Sequence, residues 1–142
     1  SDPDAAWARI SRSSRTIGEL LMDQAVLAGV GNVYRSEVLF RHRLSPFTEG
    51  RMLRRASWHL TWDDLERLMP LGVTTGRIVT VEDQVLEVEA ALGRGEVPRL
   101  TERSSAVYRR AGMPCPACGS KVRTRVVAGR NLFWGGRCQR RR

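Results

Sequence analysis

Gly29 and Gly31 break a helical hydrophobic pattern in the first third of the chain, and that break limits what the segment can become. Upstream, Thr16 and Glu19 form a T-x-x-E capping box ahead of IGELLMDQAVL, in which Ile17, Leu20, Leu21 and Leu27 are the apolar positions. Such a box satisfies free amides at a helix start through reciprocal side-chain bonds, so a helix is expected to begin there and run through this stretch. Downstream, NVYRSEVLF resumes the pattern with Val33, Glu37 and Phe40 near helical spacing. Two helices meeting at a glycine-rich corner is the expectation. Gly29-Val-Gly31 lacks the third glycine and the preceding strand of a dinucleotide fingerprint, and no P-loop lysine follows, which excludes both nucleotide loops. What remains is a turn whose glycines would let another backbone approach closely. Asn32 then opens a helix, where free amides and the positive dipole end attract phosphate. The plainer alternative is that Asn32 only caps the helix or occupies a left-handed turn.

The rest of the chain is read in the same way. Asp2-Pro3 before DAAWARI is an N-cap followed by a proline at the first helical position, so a short helix is expected. SPFTEG reads as a loop. Thr61 with Asp64 resembles a second capping box ahead of Leu65, Leu68, Met69 and Val73, with Pro70 expected to kink or end that helix. The stretch VEDQVLEVEAALGRGEVPRL is acidic, then rich in Gly and Pro, and reads as a linker. Beyond it, Lys121 to Val126 alternates with the period of a strand, pointing to a β-hairpin. The expected fold is therefore mostly α: a helical unit over residues 1–93, a linker over 94–106 and a small β-hairpin module over 107–142. Trp7, Trp58, Trp62 and Trp134 are expected to pack rather than to stack on bases.

No run of roughly 18 apolar residues is present, so no membrane span is expected, and no secretion signal opens the chain. A cytoplasmic, monomeric protein is the expectation. The net charge of +9 is unevenly placed: residues 1–93 carry a net of −2 and residues 94–142 a net of +11, nearly all from arginine. Arginine forks bond phosphate oxygens in pairs, so nucleic acid is the leading partner class. A basic face kept for solubility is the bland alternative. A structural RNA-binding protein of ribosomal type and a protein-interaction module using the acidic residues 82–89 are the functional ones.

Cys115-Pro-Ala-Cys118-Gly119 has the spacing of a zinc knuckle. A zinc ribbon would place a second Cys-x-x-Cys about 15 to 20 residues further on. The sequence there reads Gly135-Gly-Arg-Cys138, the chain has three cysteines, and neither His42 nor His59 is near in sequence. Two outcomes stay open: zinc held by Cys115, Cys118 and Cys138 with water or another fourth ligand, or a metal-free hairpin. A redox Cys-x-x-Cys would need a βαβ context that is missing.

The segment IGELLMDQAVLAGVGNVYRSEVLFRHRLSP resembles the helix-two-turn-helix of the formamidopyrimidine-DNA glycosylase and endonuclease VIII family. VYRRAGMPCPACG and GRNLFWGGRCQ resemble the same family's C-terminal zinc finger, with an arginine ahead of the aromatic pair and a terminal Cys-Gln. The two motifs occur in the family's order, and the endonuclease VIII branch, as found in actinobacteria, is the most similar. The resemblance implies the DNA-binding part of a base-excision repair glycosylase and β,δ-elimination lyase acting on oxidised bases. Its partner would be duplex DNA with a damaged base or abasic site. Asn32 matches the residue that binds a backbone phosphate, and Arg130 matches the finger arginine that clamps phosphate and donates a proton in δ-elimination. Arg35 is a further phosphate candidate, or a partner for Glu19 or Glu37. The family's catalytic N-terminal Pro-Glu is not matched, since Pro3 is internal and its nitrogen is an amide. The chain is therefore expected to lack the catalytic domain and to bind DNA without cutting it. The glycine at 135 departs from the family's four-cysteine pattern and puts the metal in question.

Overall fold

The computed structural model describes residues 2–100, 102 and 104–141. Its elements are α1 (Pro3–Ile10), α2 (Ile17–Leu20), α3 (Asn32–Arg41), a 3-10 turn (Gly50–Met52), α4 (Arg55–Thr75), α5 (Glu82–Gly93), β1 (Val122–Val127) and β2 (Arg130–Gly135). The mostly α fold with a C-terminal β-hairpin is as expected. In α1 the Asp2 carboxylate accepts the Asp4 amide at 2.9 Å, with Pro3 in the first turn. In α2 the Thr16 hydroxyl accepts the Glu19 amide at 3.3 Å.

Four expectations need correction. The helix that starts at Ile17 stops at Leu20 instead of running on to Leu27. Asp23 ends the pattern: its carboxylate accepts the Ala25 amide at 2.9 Å, and its carbonyl accepts the amides of Val26 and Leu27. A short acidic side chain that bonds its own backbone competes with helix in this way. Second, Thr61 starts no helix. It lies inside α4, where its hydroxyl donates to the Ser57 carbonyl at 2.8 Å. Third, Pro70 does not end α4, which continues to Thr75 and closes on left-handed Gly76. Fourth, the acidic stretch read as linker is helical over Glu82–Gly93, with Val85, Val88 and Ala91 buried and Glu82 and Asp83 in the first turn. Carboxylates there favour the positive end of a helix.

The main core gathers one stripe from each helix, including Ile10, Ile17, Leu20, Val38, Leu39, Trp58, Leu68, Val85 and Val88. Trp58 is fully buried and its indole N–H donates to the Pro3 carbonyl at 3.1 Å, which fixes α1 to α4. A smaller cluster of Phe40, Val107, Cys115, Val122 and Phe133 joins α3 to the hairpin. Trp134 packs edge-on against Phe47, with ring centres 4.8 Å apart.

The hairpin is antiparallel, from Val122 opposite Gly135 to Val127 opposite Arg130. The two-residue turn has positive φ at both Ala128 (54°) and Gly129 (77°). That handedness matches the twist of the flanking strands. Alternation in β1 does not translate into one-sided burial, because β2 supplies the packing face through Leu132 and Phe133. Along β1 only Val122 is buried, and Val126 is 64% exposed.

Candidate nucleic-acid interface

The hairpin turn is fastened to the start of α3 by one face of that helix. Asn32, Arg35 and Ser36 stand at positions i, i+3 and i+4, which a helix places on one side. The Asn32 amide nitrogen donates to the Asn131 carbonyl at 2.7 Å, and its oxygen accepts from Arg35. The Arg35 guanidinium donates to the carbonyls of Gly18 (3.0 Å), Val127 (2.8 Å) and Arg130 (3.3 Å). The Ser36 hydroxyl accepts the Phe133 amide at 3.3 Å.

Arg35 is 0% exposed and bonds to neither Glu19 nor Glu37, the partners that stood as the alternative to a phosphate contact for it. Burial lowers its pKa to about 10, so it stays charged at neutral pH, with its Nε buried and unpartnered. Carbonyl dipoles rather than a carboxylate hold this cation, and the positive charge at the corner is left unneutralised. Glu37 is equally buried but serves another join. It accepts the amides of Ala106 (2.7 Å), Val107 (2.8 Å) and Tyr108 (3.2 Å) and the Thr80 hydroxyl (2.6 Å).

Asn32 is neither an N-cap nor in the left-handed region: Gly31 caps the helix without a side-chain bond, and Asn32 is the first helical residue. The close approach of another backbone expected at the glycine corner is not found among the described residues. A Cβ on Gly31 would meet nothing within 4 Å, and one on Gly29 would meet only the Met69 methyl, at 3.4 Å. Gly29 is needed for its φ of +87°. The first-turn amides of α3 have no intrahelical acceptor. Beside them Arg130 is exposed at the hairpin tip, with no ion pair among the described residues. Arg123 and Arg125 are exposed along β1, Arg125 lying over the Phe47 ring at 4.7 Å.

The three cysteines meet at the other end of the hairpin, with their sulfurs all within 4.8 Å of one another. Cys115 and Cys138 are 3.7 Å apart, close to the roughly 3.8 Å edge of a thiolate tetrahedron with bonds of about 2.3 Å. A Cβ added to Gly135 would lie 2.9 Å from the Cys115 sulfur and 3.0 Å from that of Cys138. Position 135 thus points into the cluster, but it contributes no ligand. The Ser120 hydroxyl, 3.0 Å from Cys118, and the Ser120 amide pull the Cys118 thiol down to about 6. Burial and neighbouring Cys115 push Cys138 upward. The three sulfurs can hold a metal ion and leave one position for an outside ligand.

Gln139, which carried no role in the sequence reading beyond the Cys-Gln pattern, is buried and closes the module. It accepts the Gly135 amide at 2.8 Å and donates to the Leu44 carbonyl at 3.0 Å. Ser36 was also missed, and Glu37 was named only as an alternative partner of Arg35, not as the acceptor of the Ala106 to Tyr108 amides.

A cavity of about 1030 Å³ lies elsewhere, lined by Arg41, His42, Asp64, Arg67, Glu82 and Tyr108 among others. Its charges are largely paired with one another, as are Glu82 and Glu89 of the acidic stretch, which Arg41 and Arg67 engage.

An exposed arginine at a hairpin tip, latched beside an open helix start, defines a positively charged corner on a helical scaffold. Comparison with known proteins then supplies the lineage. Residues 1–83 match the formamidopyrimidine-DNA glycosylase H2TH domain, and the chain belongs to that family. It is 45% identical to "Endonuclease 8 1" of Mycobacterium tuberculosis, over 98% of this chain and 50% of that protein. It is similar to the crystal structure of the MutM (Fpg) protein from Thermus thermophilus, with a TM-score of 0.71, 35% identity, and coverage of 97% of this chain and 50% of that one. A Lactococcus lactis Fpg complexed with FAPY-dG-containing DNA has a TM-score of 0.75 and 25% identity, over 99% of this chain and 48% of that one. The chain spans about half the length of the relatives it matches. No helix among the described residues is long and apolar enough to cross a membrane.

Proposed function

We propose that this chain is the DNA-gripping half of a base-excision repair glycosylase and lyase, and that it binds duplex DNA at a damaged base or abasic site without cutting it. The observation that carries this reading is the latch itself. Asn32 and Arg35 hold the hairpin turn against the open start of α3, so Arg130 and the free first-turn amides present one positive corner to a phosphate backbone. One Asn32 amide hydrogen is committed to Asn131, and the second is available for a phosphate oxygen. Arg35 acts as a positioning residue, because its guanidinium lies behind the turn. The whole enzyme would excise oxidised bases and cleave by β,δ-elimination, with Arg130 placed to give a proton to the departing phosphate. Pro3 is inside α1 and its amide nitrogen has no usable lone pair, so a nucleophile must come from elsewhere. Cys115, Cys118 and Cys138 would hold zinc, which when bound supplies folding free energy to a hairpin too small to obtain it from apolar burial. Action as a monomer in the cytoplasm fits this reading.

The test is the affinity of Asn32→Ala and Arg130→Ala for an abasic-site duplex at two salt concentrations. Each is expected to weaken binding, and loss of one phosphate contact should lower the salt slope by about 0.9. Unchanged affinity in both variants would overturn the reading.

A further inference from the structure

A concavity of about 550 Å³ at the base of the hairpin is lined by Arg43, Arg137, Cys138, Arg140 and Arg141. An adjoining cleft shares Arg43 and Arg140 and extends to Arg54 and Ser57 at the first turn of α4. Neither lining contains a carboxylate. Elsewhere in the chain Arg15, Arg41, Arg51, Arg67 and Arg94 each reach an acidic side chain within 4.0 Å, whereas among the described residues no such ion pair involves Arg43, Arg54, Arg137, Arg140 or Arg141. Among the described residues, the fold converges like charges here and supplies no counter-charge.

Two of these arginines are held in place by backbone carbonyls, not by acids. Arg140 donates its Nε to the Arg137 carbonyl at 2.8 Å, which leaves its terminal nitrogens free. Arg43 donates to the Phe40 carbonyl and lies over the Phe40 ring at 4.3 Å. The start of α4 adds to the same sign: Arg54 caps this 21-residue helix without a side-chain bond, and no acidic residue lies in its first turn.

We infer that this arginine-lined concavity is a second phosphate-binding site, taking phosphodiester groups of the same DNA that the hairpin tip grips, some way along the duplex. The inference rests on the DNA-binding reading above. Guanidinium forks match phosphate oxygens, and several of them suit a row of phosphates better than a single anion. Arg130 at the tip and Gly135 at the base are separated by five strand steps of about 3.3 Å, or roughly 17 Å. Along the duplex axis that length spans about five base-pair rises of ~3.4 Å, so the two sites engage different stretches of the duplex.

The experiment measures the binding of the full chain to two abasic-site duplexes, one of roughly 8 base pairs and one of roughly 20, across a salt series. The Arg137→Ala/Arg140→Ala pair removes two exposed side chains from the concavity, and thermal melting verifies that the fold persists. On the long duplex the pair is expected to bind about tenfold more weakly at low salt, with the salt slope reduced by about 2. On the short duplex it should bind as the parent chain does, and the Arg137→Lys/Arg140→Lys pair should keep the parent slope on both. An unchanged slope on the long duplex, or an equal loss on both lengths, overturns the second site. If Arg130→Ala weakens both lengths while the base pair of substitutions changes neither, only the tip grips DNA, and the function stands without this site. If Asn32→Ala and Arg130→Ala are also neutral, the DNA-binding reading itself has failed.

Discussion

The two ends of α3 hold their arginines, one buried and one half-buried, in opposite ways. At its start, Arg35 is held by three carbonyls and Asn32, with no carboxylate in reach. At its end, Arg41 meets Asp64 at 2.6 and 3.1 Å and Glu82 at 2.8 Å, and His42 lies 2.9 Å from the same Asp64. Arg67 extends this network to Glu82 and Glu89, tying α4 to α5. One helix thus carries a neutralised end that binds helices together and a positive end that binds the hairpin. The difference teaches that the same side chain is structural in both places. Only where carbonyls hold it does its charge go unneutralised by an acidic side chain.

The largest test of this contrast is Arg35→Ala. It leaves three carbonyls without their donor and releases Asn32, so a loss of about 3 to 5 kcal/mol is expected in denaturant unfolding. Faster amide exchange in the hairpin than in α4 should accompany it. A cost below about 1 kcal/mol would mean that the hairpin is docked by Leu132 and Phe133 alone.

Asp64 probes the neutralised end. Burial alone would raise its pKa, but hydrogen bonds from His42 and Arg41 outweigh that and hold it at about 2, against an ordinary 3.8. A depressed carboxylate contributes stability above its unfolded pKa and loses it as pH falls towards the folded value. The parent chain should therefore lose on the order of 2 kcal/mol between about pH 4 and pH 2, whereas Asp64→Asn should be flatter there and weaker at pH 7. Superimposable pH profiles would remove the network from the stability of this end.

Gly135→Cys sharpens the picture of the hairpin end. A fourth thiol would complete the cluster, and zinc affinity is expected to rise at least about tenfold in competition with a chromophoric chelator. Without metal the new side chain crowds two sulfurs, so the apo protein should melt lower. Unaltered zinc affinity would mean that position 135 is no longer aimed at the metal once it binds. The smallest effect is expected from Ala128→Gly, which relieves a non-glycine residue at φ 54° in the turn and should stabilise the chain by up to about 1 kcal/mol in thermal unfolding.

Legibility varied with how local the cause was. The start of α2 at Thr16, the start of α3 at Asn32 and the hairpin could be read because each depends on a cap or a turn within a few residues. The start of α4 was misplaced at Thr61 because its true beginning, after Arg54, has no side-chain cap to announce it. Burial of Trp58 in the core places that helix instead. The acidic run of α5 looked like a linker because its charges dominate the composition. Val85, Val88 and Ala91 fall on one face, but a stripe that narrow becomes persuasive only when a core is there to receive it.

The sequence by itself determined the lineage, the three-cysteine knuckle with its missing ligand, the uneven charge and the candidates Asn32 and Arg130. Each is a matter of residue type and spacing along the chain. Only the tertiary structure decided that Arg35 turns inward to clasp the hairpin, that Glu37 accepts the amides leading into the finger, and that Arg137, Arg140 and Arg141 meet Arg43 around one concavity. Those joins link residues dozens of positions apart, and no local pattern encodes which carbonyl or charge a long side chain will find once the core has closed.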